Sequence, residues 1–210
     1  MPTPFATVLF DLDDTLIHSD LLRVAALHSC GHPNPGGIPL GDLRTQSPRD
    51  LMRPHREITM PDYWRIYLIE ADANARLGCR GLDRAVQELS RCGIALGVVT
   101  SSPHCAASRV LQCLGICDLF PVLIGWGDCR KRKPHGDPIL LALSRLGADA
   151  STSVYIGDSV RDLEASRNAG VAFGLATWCC SPDAQDLVAG ADALLGTAEE
   201  MLVYVRGGTR

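Results

Sequence analysis

The stretch VLFDLDDTL, residues 8–16, decides the fold. Its first three residues form a continuous apolar run, which is typical of a strand buried on both faces of a parallel sheet. Asp11, Asp13 and Asp14 follow within four positions. Carboxylates crowded at the end of a buried strand repel one another, and burial raises the cost of keeping them ionised. The stretch therefore predicts a buried strand ending in an acidic cluster that needs a compensating positive charge.

Apolar runs of strand length alternate with segments of helical spacing along the rest of the chain. We predict strands over residues 6–10, 94–99, 122–124, 153–156, 171–176 and 191–195, and helices over residues 82–92, 103–114, 137–146 and 160–169. Such alternation is typical of a mostly parallel sheet that is covered on both faces. We therefore expect an α/β fold with a Rossmann-like, mostly parallel sheet and helices on both of its faces.

Residues 18–80 interrupt this alternation. They contain no convincing strand and show helical spacing at residues 21–30 and 63–77, separated by a loop rich in glycine and proline. A helical insertion after the first strand explains this pattern. We expect an α/β core domain of residues 1–17 and 81–210, and a small α-helical cap domain of residues 18–80.

The composition argues against several classes of function. The 210 residues carry a formal charge of -4, with a pI near 5.8, and so offer no concentrated basic face for nucleic acid. No apolar run approaches the roughly 18 residues of a membrane span, and residues 1–4 lack the pattern of a secretion signal. We expect a cytoplasmic protein without nucleic-acid or membrane partners, and leave its oligomeric state open between monomer and dimer.

The nine cysteines invite a separate interpretation. An odd count without a CxxC pair, in a chain expected to be intracellular, argues against a disulfide framework and against a zinc knuckle. We expect most of them to be small buried hydrophobic residues. Cys179 and Cys180 fit this explanation least well, because they follow the end of a predicted strand.

Polar residues collect where the predicted strands end. The carboxyl ends of parallel strands share one edge of the sheet, and ligands bind in the crevice there. That edge should receive DLDDT at residues 11–15, TSS at 100–102, KRKP at 131–134, and GD at 157–158 with Asp162 four residues on. Separate segments thus bring acids, hydroxyls and an amine together.

Four motifs in this order resemble the haloacid dehalogenase superfamily, and specifically its capped phosphatases of the phosphoglycolate phosphatase kind. They are DLDDTL at residues 11–16, VVTSS at 98–102, KPHGDP at 133–138 and IGDSVRD at 156–162. The resemblance implies a phosphatase that hydrolyses a small phosphorylated metabolite through an aspartyl phosphate. It also implies Mg²⁺ as cofactor, since a hard cation prefers the carboxylate and carbonyl oxygens that the acidic cluster offers.

The resemblance gives each matching acid a role. Asp11 would be the nucleophile, and Asp13 would protonate the leaving group and later take a proton from water. Asp11, Asp158 and the main-chain carbonyl of Asp13 would bind Mg²⁺. Asp162 would hold a metal-bound water or orient its neighbours.

The resemblance also implies how the phosphoryl group is held. A phosphoryl group in transfer carries charge on its equatorial oxygens, so donors and cations must surround it. Thr100 and the amide of Ser101 would be the donors, and Lys133 the cation. Lys131, the only other lysine, is the reserve candidate.

Three nearby polar residues have simpler explanations. Asp14 is expected to be a structural acid, at a position where the family often has glycine. Thr15 is expected to tie the backbone of its loop through its hydroxyl. Ser102 could bind phosphate or cap a helix beginning at Pro103; we expect the cap, because serine before proline at the first helical position is a common helix start.

Related chemistries can be weighed at a few positions. Dehalogenase relatives lack the acid that Asp13 supplies, because a displaced halide needs no proton. Residues 18–80 contain no lysine, which argues against the Schiff base of phosphonate-cleaving relatives. A sugar-phosphate mutase is the alternative, because it shares the same acids and depends on cap closure. A second alternative is a non-catalytic phosphate-binding or regulatory protein, although such a relic would usually have lost the nucleophile, the acid or the lysine.

The leaving group is left open by the motifs. Phosphoglycolate, a sugar phosphate, a nucleotide and pyrophosphate are all candidates. A basic stretch in the predicted cap could bind a second anionic group of the substrate, but we favour a solvated face. Its members are Arg44, Arg49, Arg53, His55 and Arg56.

Overall fold

The computed structural model describes residues 5–46, 48–55, 58–73, 78–179 and 185–208. The chain forms two compact units, one of Met1–Ile17 with Gly78–Arg210 and one of His18–Leu77. The second unit ends before the boundary expected at residue 80. The assignment of residues 18–80 as a functional cap stays a prediction.

In chain order the described residues form strands β1 to β6 and helices α1 to α10. The strands are β1 Thr7–Phe10, β2 Ala95–Pro103, β3 Val122–Trp126, β4 Ser153–Gly157, β5 Ala172–Ala176 and β6 Ala193–Leu195. The helices are α1 Ser19–Ser29, α2 Leu40–Thr45, α3 Pro48–Met52, α4 Met60–Ala73, α5 Leu82–Arg91, α6 His104–Cys113, α7 Asp137–Leu146, α8 Val160–Ala169, α9 Gln185–Gly190 and α10 Ala198–Val205.

The six strands form one sheet in the order β3-β2-β1-β4-β5-β6, and every pairing is parallel. The expected α/β class with a Rossmann-like sheet is therefore confirmed. β1 lies in the interior of the sheet, with Thr7 beside Ala95 of β2 on one side and Ser153 of β4 on the other. Strand order reverses at this point, which is where open α/β sheets place their ligand crevice.

The sheet is packed on both faces at β1, since all four residues of this strand are buried. Leu9 packs in a cluster with Ile139 of α7 and Leu163 of α8. Phe10 points to the opposite face, since neighbouring strand residues alternate, and meets the edge of Phe120 at a ring-centroid distance of 6.0 Å. A continuous apolar run is therefore required here.

The second unit is helical in its described residues, and α1 packs against α4. Helix α4 buries Tyr63, Tyr67 and Ala71, which recur every fourth position as an amphipathic helix requires. The expectation of helix over residues 63–77 is met up to residue 73, and residues 74–77 lie outside the described part. The short helices α2 and α3 were not anticipated.

The basic stretch of this unit is partly described. Arg53 pairs with Asp50 at 2.9 Å, and both side chains are exposed. Arg49 is also exposed, and the exposed His55 packs its ring against His32 at 4.4 Å between centroids. These positions agree with the favoured solvated face. Arg56 and the side chain of Arg44 lie outside the described residues.

The cysteines depart from expectation. Cys79 and Cys179 form a disulfide, although the sequence argued against such pairing. Cys79 follows the connector that returns from the helical unit, and Cys179 lies in the loop after β5, so partners 100 residues apart meet in the folded unit. Cys92, Cys105 and Cys113 are exposed rather than buried. Cys180 lies outside the described residues.

No helix in the described residues combines the length and apolar character needed to cross a lipid bilayer.

Candidate active site

Asp11 stands directly at the carboxyl end of the central strand. Its backbone N–H donates to the Ile156 carbonyl at 2.8 Å, which continues the pairing of β1 with β4. The residue is only 5% exposed. The first acid of the cluster is therefore held by the sheet itself rather than by a mobile loop.

The loop after Asp11 folds around one carbonyl group. The N–H groups of Leu16 and Ile17 donate to the Leu12 carbonyl at 2.9 and 3.2 Å. Asp14 has a φ of 58°, in the left-handed region that glycine, asparagine and aspartate tolerate best. This geometry supports a structural role for Asp14.

The hydroxyl of Thr15 has no hydrogen-bond partner among the described residues and is fully buried. The expected tie through this hydroxyl is therefore not seen. Instead, the Thr15 carbonyl accepts a hydrogen bond of 2.8 Å from the indole N–H of Trp178.

Lys133 reaches the site from the loop between β3 and α7. Its Nζ donates to Oδ1 of Asp11 and to Oδ1 of Asp162, each at 2.6 Å, and its side chain is 5% exposed. Burial alone would lower the pKa of Lys133, but the carboxylates of Asp11 and Asp162 outweigh burial and raise this pKa well above its ordinary value. Lys133 is thus a fixed cation, whereas Lys131 is exposed.

Asp162 is positioned by the start of α8. It completes a capping box with Ser159, whose side chain caps the helix while Asp162 Oδ2 accepts from the Ser159 N–H at 3.1 Å. Gly157 allows this close packing, because a Cβ there would lie 2.7 Å from the Asp162 carboxyl carbon. The spacing within IGDSVRD therefore has a steric reason.

Asp11, Asp158 and Asp162 each offer a carboxylate oxygen within 4.8 Å of the others. Burial raises the pKa of Asp11 well above its ordinary value; Lys133 opposes this increase, and the neighbouring acids, Asp162 foremost, add to it. A divalent cation would relieve that repulsion, and the all-oxygen donor set suits a hard cation. Asp162 accepts hydrogen bonds on both carboxylate oxygens, from Lys133 on Oδ1 and from the Ser159 N–H on Oδ2, and Asp11 accepts from Lys133 on Oδ1.

Asp13 is held by the end of β2. The Ser102 hydroxyl donates to Asp13 Oδ2 at 2.7 Å, and the Thr100 hydroxyl lies 3.4 Å from the same oxygen. Ser101 lies between them with its side chain exposed. β2 runs four residues beyond the expected end, so Thr100 to Pro103 are strand.

The expectation that Ser102 caps a helix is wrong. Helix α6 begins at His104 after Pro103 and has no side-chain cap. The extended backbone at Ser102 turns its hydroxyl toward Asp13 instead.

Comparison with known proteins decides the family. The model of the haloacid dehalogenase-like hydrolases matches residues 8–176, which is most of the chain. The chain belongs to the haloacid dehalogenase-like hydrolase family. The matched segment includes β1 from Val8 onward, Asp11 at the end of this strand, Lys133, and β4 with Asp158.

Relatives in this hydrolase family carry phosphatase names. The chain is 34% identical over 186 residues to the phosphoglycolate phosphatase of Xanthomonas campestris pv. campestris, covering 81% of this chain and 82% of the relative. It is 30% identical over 178 residues to the pyrophosphatase PpaX of Bacillus velezensis, with coverage of 81% and 82%. The structure of CbbY from Rhodobacter sphaeroides in complex with phosphate, 21% identical, shares the fold with a TM-score of 0.74, covering 94% of this chain and 96% of that one.

Sequence reasoning missed two polar residues, one within this hydrolase site and one in the loop that leads to Lys133. Tyr155 is fully buried in β4, and its hydroxyl contacts both Lys133 and Asp162. A tyrosine inside a buried strand needs a partner for its hydroxyl, and that requirement could have singled it out. Asp128 was also missed; it accepts from the Gly125 N–H at 2.7 Å and pairs with His104 at 2.8 Å, which ties the loop before Lys133 to α6.

Proposed function

We propose that this protein is a Mg²⁺-dependent phosphatase that hydrolyses a small organic phosphomonoester through an aspartyl phosphate on Asp11. The observation that carries the proposal is the contact of the Asp11 carboxylate with the buried Lys133 ammonium, at the end of the central strand and beside Asp158 and Asp162. The relatives named as a phosphoglycolate phosphatase and a pyrophosphatase support it.

In the first step, a carboxylate oxygen of Asp11 attacks phosphorus and the ester P–O bond breaks. The leaving alkoxide takes a proton from Asp13, whose carboxyl is presented by Ser102. Lys133, Thr100 and the Ser101 amide stabilise charge on the equatorial oxygens of the phosphoryl group.

In the second step, Asp13 accepts a proton from a water molecule, and the water oxygen attacks the phosphorus of the aspartyl phosphate. The bond between phosphorus and the Asp11 oxygen breaks, which releases inorganic phosphate and restores the carboxylate. Covalent catalysis in this form divides one difficult displacement into two easier ones.

The residues present fit a divalent cation. Asp11, Asp158 and the main-chain carbonyl of Asp13 would hold Mg²⁺, and Asp162 would act through Lys133 and Ser159 rather than as a ligand. Mg²⁺ would supply positive charge that offsets the repulsion between Asp11 and an incoming phosphate dianion.

Phosphoglycolate is our first choice of substrate and pyrophosphate the second, because these compounds correspond to the names of the two relatives. Both carry a second anionic group beside the phosphoryl group that is transferred. In the cytoplasm, which we propose as the location, either would be a small soluble metabolite.

Removal of the metal is expected to abolish hydrolysis. Phosphoglycolate, pyrophosphate, p-nitrophenyl phosphate and glucose 1-phosphate are incubated with the protein in excess MgCl₂, in EDTA, and in EDTA followed by MgCl₂. We expect phosphate release in Mg²⁺, loss of at least about 10³-fold in EDTA because charge on the acids is then uncompensated, and full recovery. Released phosphate is measured with a colorimetric assay.

The same panel separates the alternatives. Isomerised sugar phosphate without net phosphate release would identify a mutase. Phosphate binding without turnover of any ester would identify a binding protein, and equal rates in Mg²⁺ and EDTA would contradict a metal-dependent mechanism.

Removing the Ser102 hydroxyl is expected to slow catalysis. Ser102→Ala deletes the donor to Asp13 Oδ2, so the acid is less well oriented, and kcat should fall about tenfold with little change in KM. Ser102→Thr keeps a hydroxyl and should retain most of the activity. Ser144→Ala, at an exposed position of α7, is the control. Unchanged kcat in Ser102→Ala would show that the hydrogen bond from Ser102 to Asp13 does not contribute to proton transfer by Asp13.

A further inference from the structure

A buried tyrosine lies directly against the cationic group of the site. Tyr155 in β4 is fully buried, and its hydroxyl oxygen lies 2.9 Å from Lys133 Nζ, 2.8 Å from the Val99 carbonyl and 3.1 Å from Asp162 Oδ1. No step of the proposed mechanism uses this hydroxyl. Its three contacts nevertheless place it within the network that holds the ammonium.

The direction of each hydrogen bond follows from the donors available. An ammonium group has three N–H donors and no acceptor, and Lys133 has acceptors in Asp11, Asp162 and Tyr155. The tyrosine has a single O–H, and the Val99 carbonyl can only accept. The Tyr155 hydroxyl accepts from Lys133, and the Val99 carbonyl at 2.8 Å is a nearer acceptor for its hydrogen than Asp162 Oδ1 at 3.1 Å, so every hydrogen of both groups has an acceptor.

The acceptors are anchored on separate elements of one unit. Asp11 ends β1, Asp162 belongs to α8, and Tyr155 is part of β4, with its hydroxyl tied to the backbone of β2 through Val99. Lysine has a flexible four-carbon stem, so its head group is fixed only by what surrounds it. Without the Tyr155 hydroxyl at 2.9 Å, the third hydrogen of the ammonium would have only the Val99 carbonyl, at 3.4 Å.

The hydroxyl is not needed for packing. Tyr155 shares an apolar cluster with Leu9, Val99 and Phe173, in which a phenylalanine ring would occupy the same space. A buried hydroxyl carries a desolvation cost that a phenylalanine would avoid. Burial also raises the pKa of Tyr155 well above its ordinary value, so the group stays a neutral hydroxyl.

We propose that Tyr155 is a positioning residue: its hydroxyl fixes the third hydrogen of the Lys133 ammonium and so holds this positive charge beside the Asp11 carboxylate that carries the phosphoryl group. This inference rests on the proposed phosphatase function. A poorly oriented cation loses most where charge develops, in the transition state. The hydroxyl should therefore affect kcat more than KM.

The kinetic test is a double-mutant cycle between Tyr155→Phe and Lys133→Met. In the wild-type background, Tyr155→Phe should lower kcat about tenfold with KM changed by less than about twofold. In the Lys133→Met background it should cause no further loss, because the group on which it acts is gone. Should Lys133→Met not fold, the hydrogen-exchange measurement described below decides instead. An equal loss in both backgrounds, or no loss in the first, would overturn the inference.

The matched control is Tyr204→Phe. Tyr204 is a half-buried phenol on α10 of the same unit, its pKa raised by burial to about 12, and its ring packs on Phe5 at 5.3 Å. The same atom is deleted away from the site, so kcat should match wild type. A comparable fall in kcat in this variant would show that the effect of Tyr155→Phe is not specific.

A second measurement does not depend on activity. Because the chain has only two lysines, ¹⁵N-lysine labelling gives two ammonium groups to follow by NMR, and Lys131→Arg assigns them. The buried Lys133 hydrogens should exchange slowly with water in wild type and about tenfold faster in Tyr155→Phe. Unchanged exchange would refute the positioning role. A wild-type protein without turnover but with this change would refute only the proposed function.

Discussion

Asp11→Asn is expected to lower the kcat of phosphatase turnover by at least about 10⁴-fold. Asparagine has nearly the same shape and can still accept a hydrogen bond from Lys133, but its amide cannot serve as the nucleophile. It also removes one anionic ligand from the cluster formed with Asp158 and Asp162. The measurement is phosphate release from the best substrate of the panel, with Asp118→Asn at an exposed position as the control.

The stability of Asp11→Asn gives an independent check. The pKa of Asp11 is raised in the folded protein, so the residue contributes stability at low pH that is lost as the pH rises through that pKa. Asparagine avoids this loss but removes one partner of the buried ion pair with Lys133, so the melting temperature of the metal-free variant serves as the baseline for the effect of Mg²⁺. Mg²⁺ should raise the melting temperature of wild type more than that of the variant, because a ligand that binds more tightly stabilises the folded state more.

Two outcomes would contradict this account. Hydrolysis by Asp11→Asn at the wild-type rate would mean that phosphate is never attached to Asp11. Equal stabilisation of both proteins by Mg²⁺ would mean that the metal binds elsewhere.

The sheet could be predicted because its signals are local. A buried parallel strand needs continuous apolar residues, and β1 with its run Val8 to Phe10 shows this directly. Once the strands were placed, the rule that their carboxyl ends share an edge was enough to expect Asp11, Lys133 and Asp158 near one another. The structure does bring Lys133 against Asp11, and Asp158 within reach of the same carboxylate.

The exact hydrogen-bond partners within the site, the disulfide and the shortest helices were not predictable in this way. The hydrogen bonds of Tyr155 to Val99 and of Ser102 to Asp13 depend on exact register and rotamer, which composition and periodicity do not encode. The pairing of Cys79 with a cysteine 100 residues away depends on where two loops meet. Helices α2 and α3 are six and five residues long, too short for a periodic pattern to emerge.

Lys133→Met is expected to reduce both activity and stability. It leaves Asp11 and Asp162 buried without the cation that each contacts at 2.6 Å, and removing one partner of a buried ion pair typically costs about 3–5 kcal/mol. Activity should fall on the order of 10³-fold, because the charge that stabilises the transferring phosphoryl oxygens is lost. Steady-state kinetics and denaturant unfolding in metal-free buffer measure the two effects.

Two further lysine variants make this expectation specific. Lys131→Met removes the only other lysine, which is exposed, and should change kcat and the free energy of unfolding very little. Lys133→Arg keeps the charge but presents a planar fork to acceptors arranged around a compact ammonium, so it should recover part of the stability and little of the activity. A larger loss of activity in Lys131→Met than in Lys133→Met would transfer the cationic role to Lys131. Full activity in Lys133→Arg would mean that charge alone, without the geometry set by Asp11, Asp162 and Tyr155, is sufficient for catalysis.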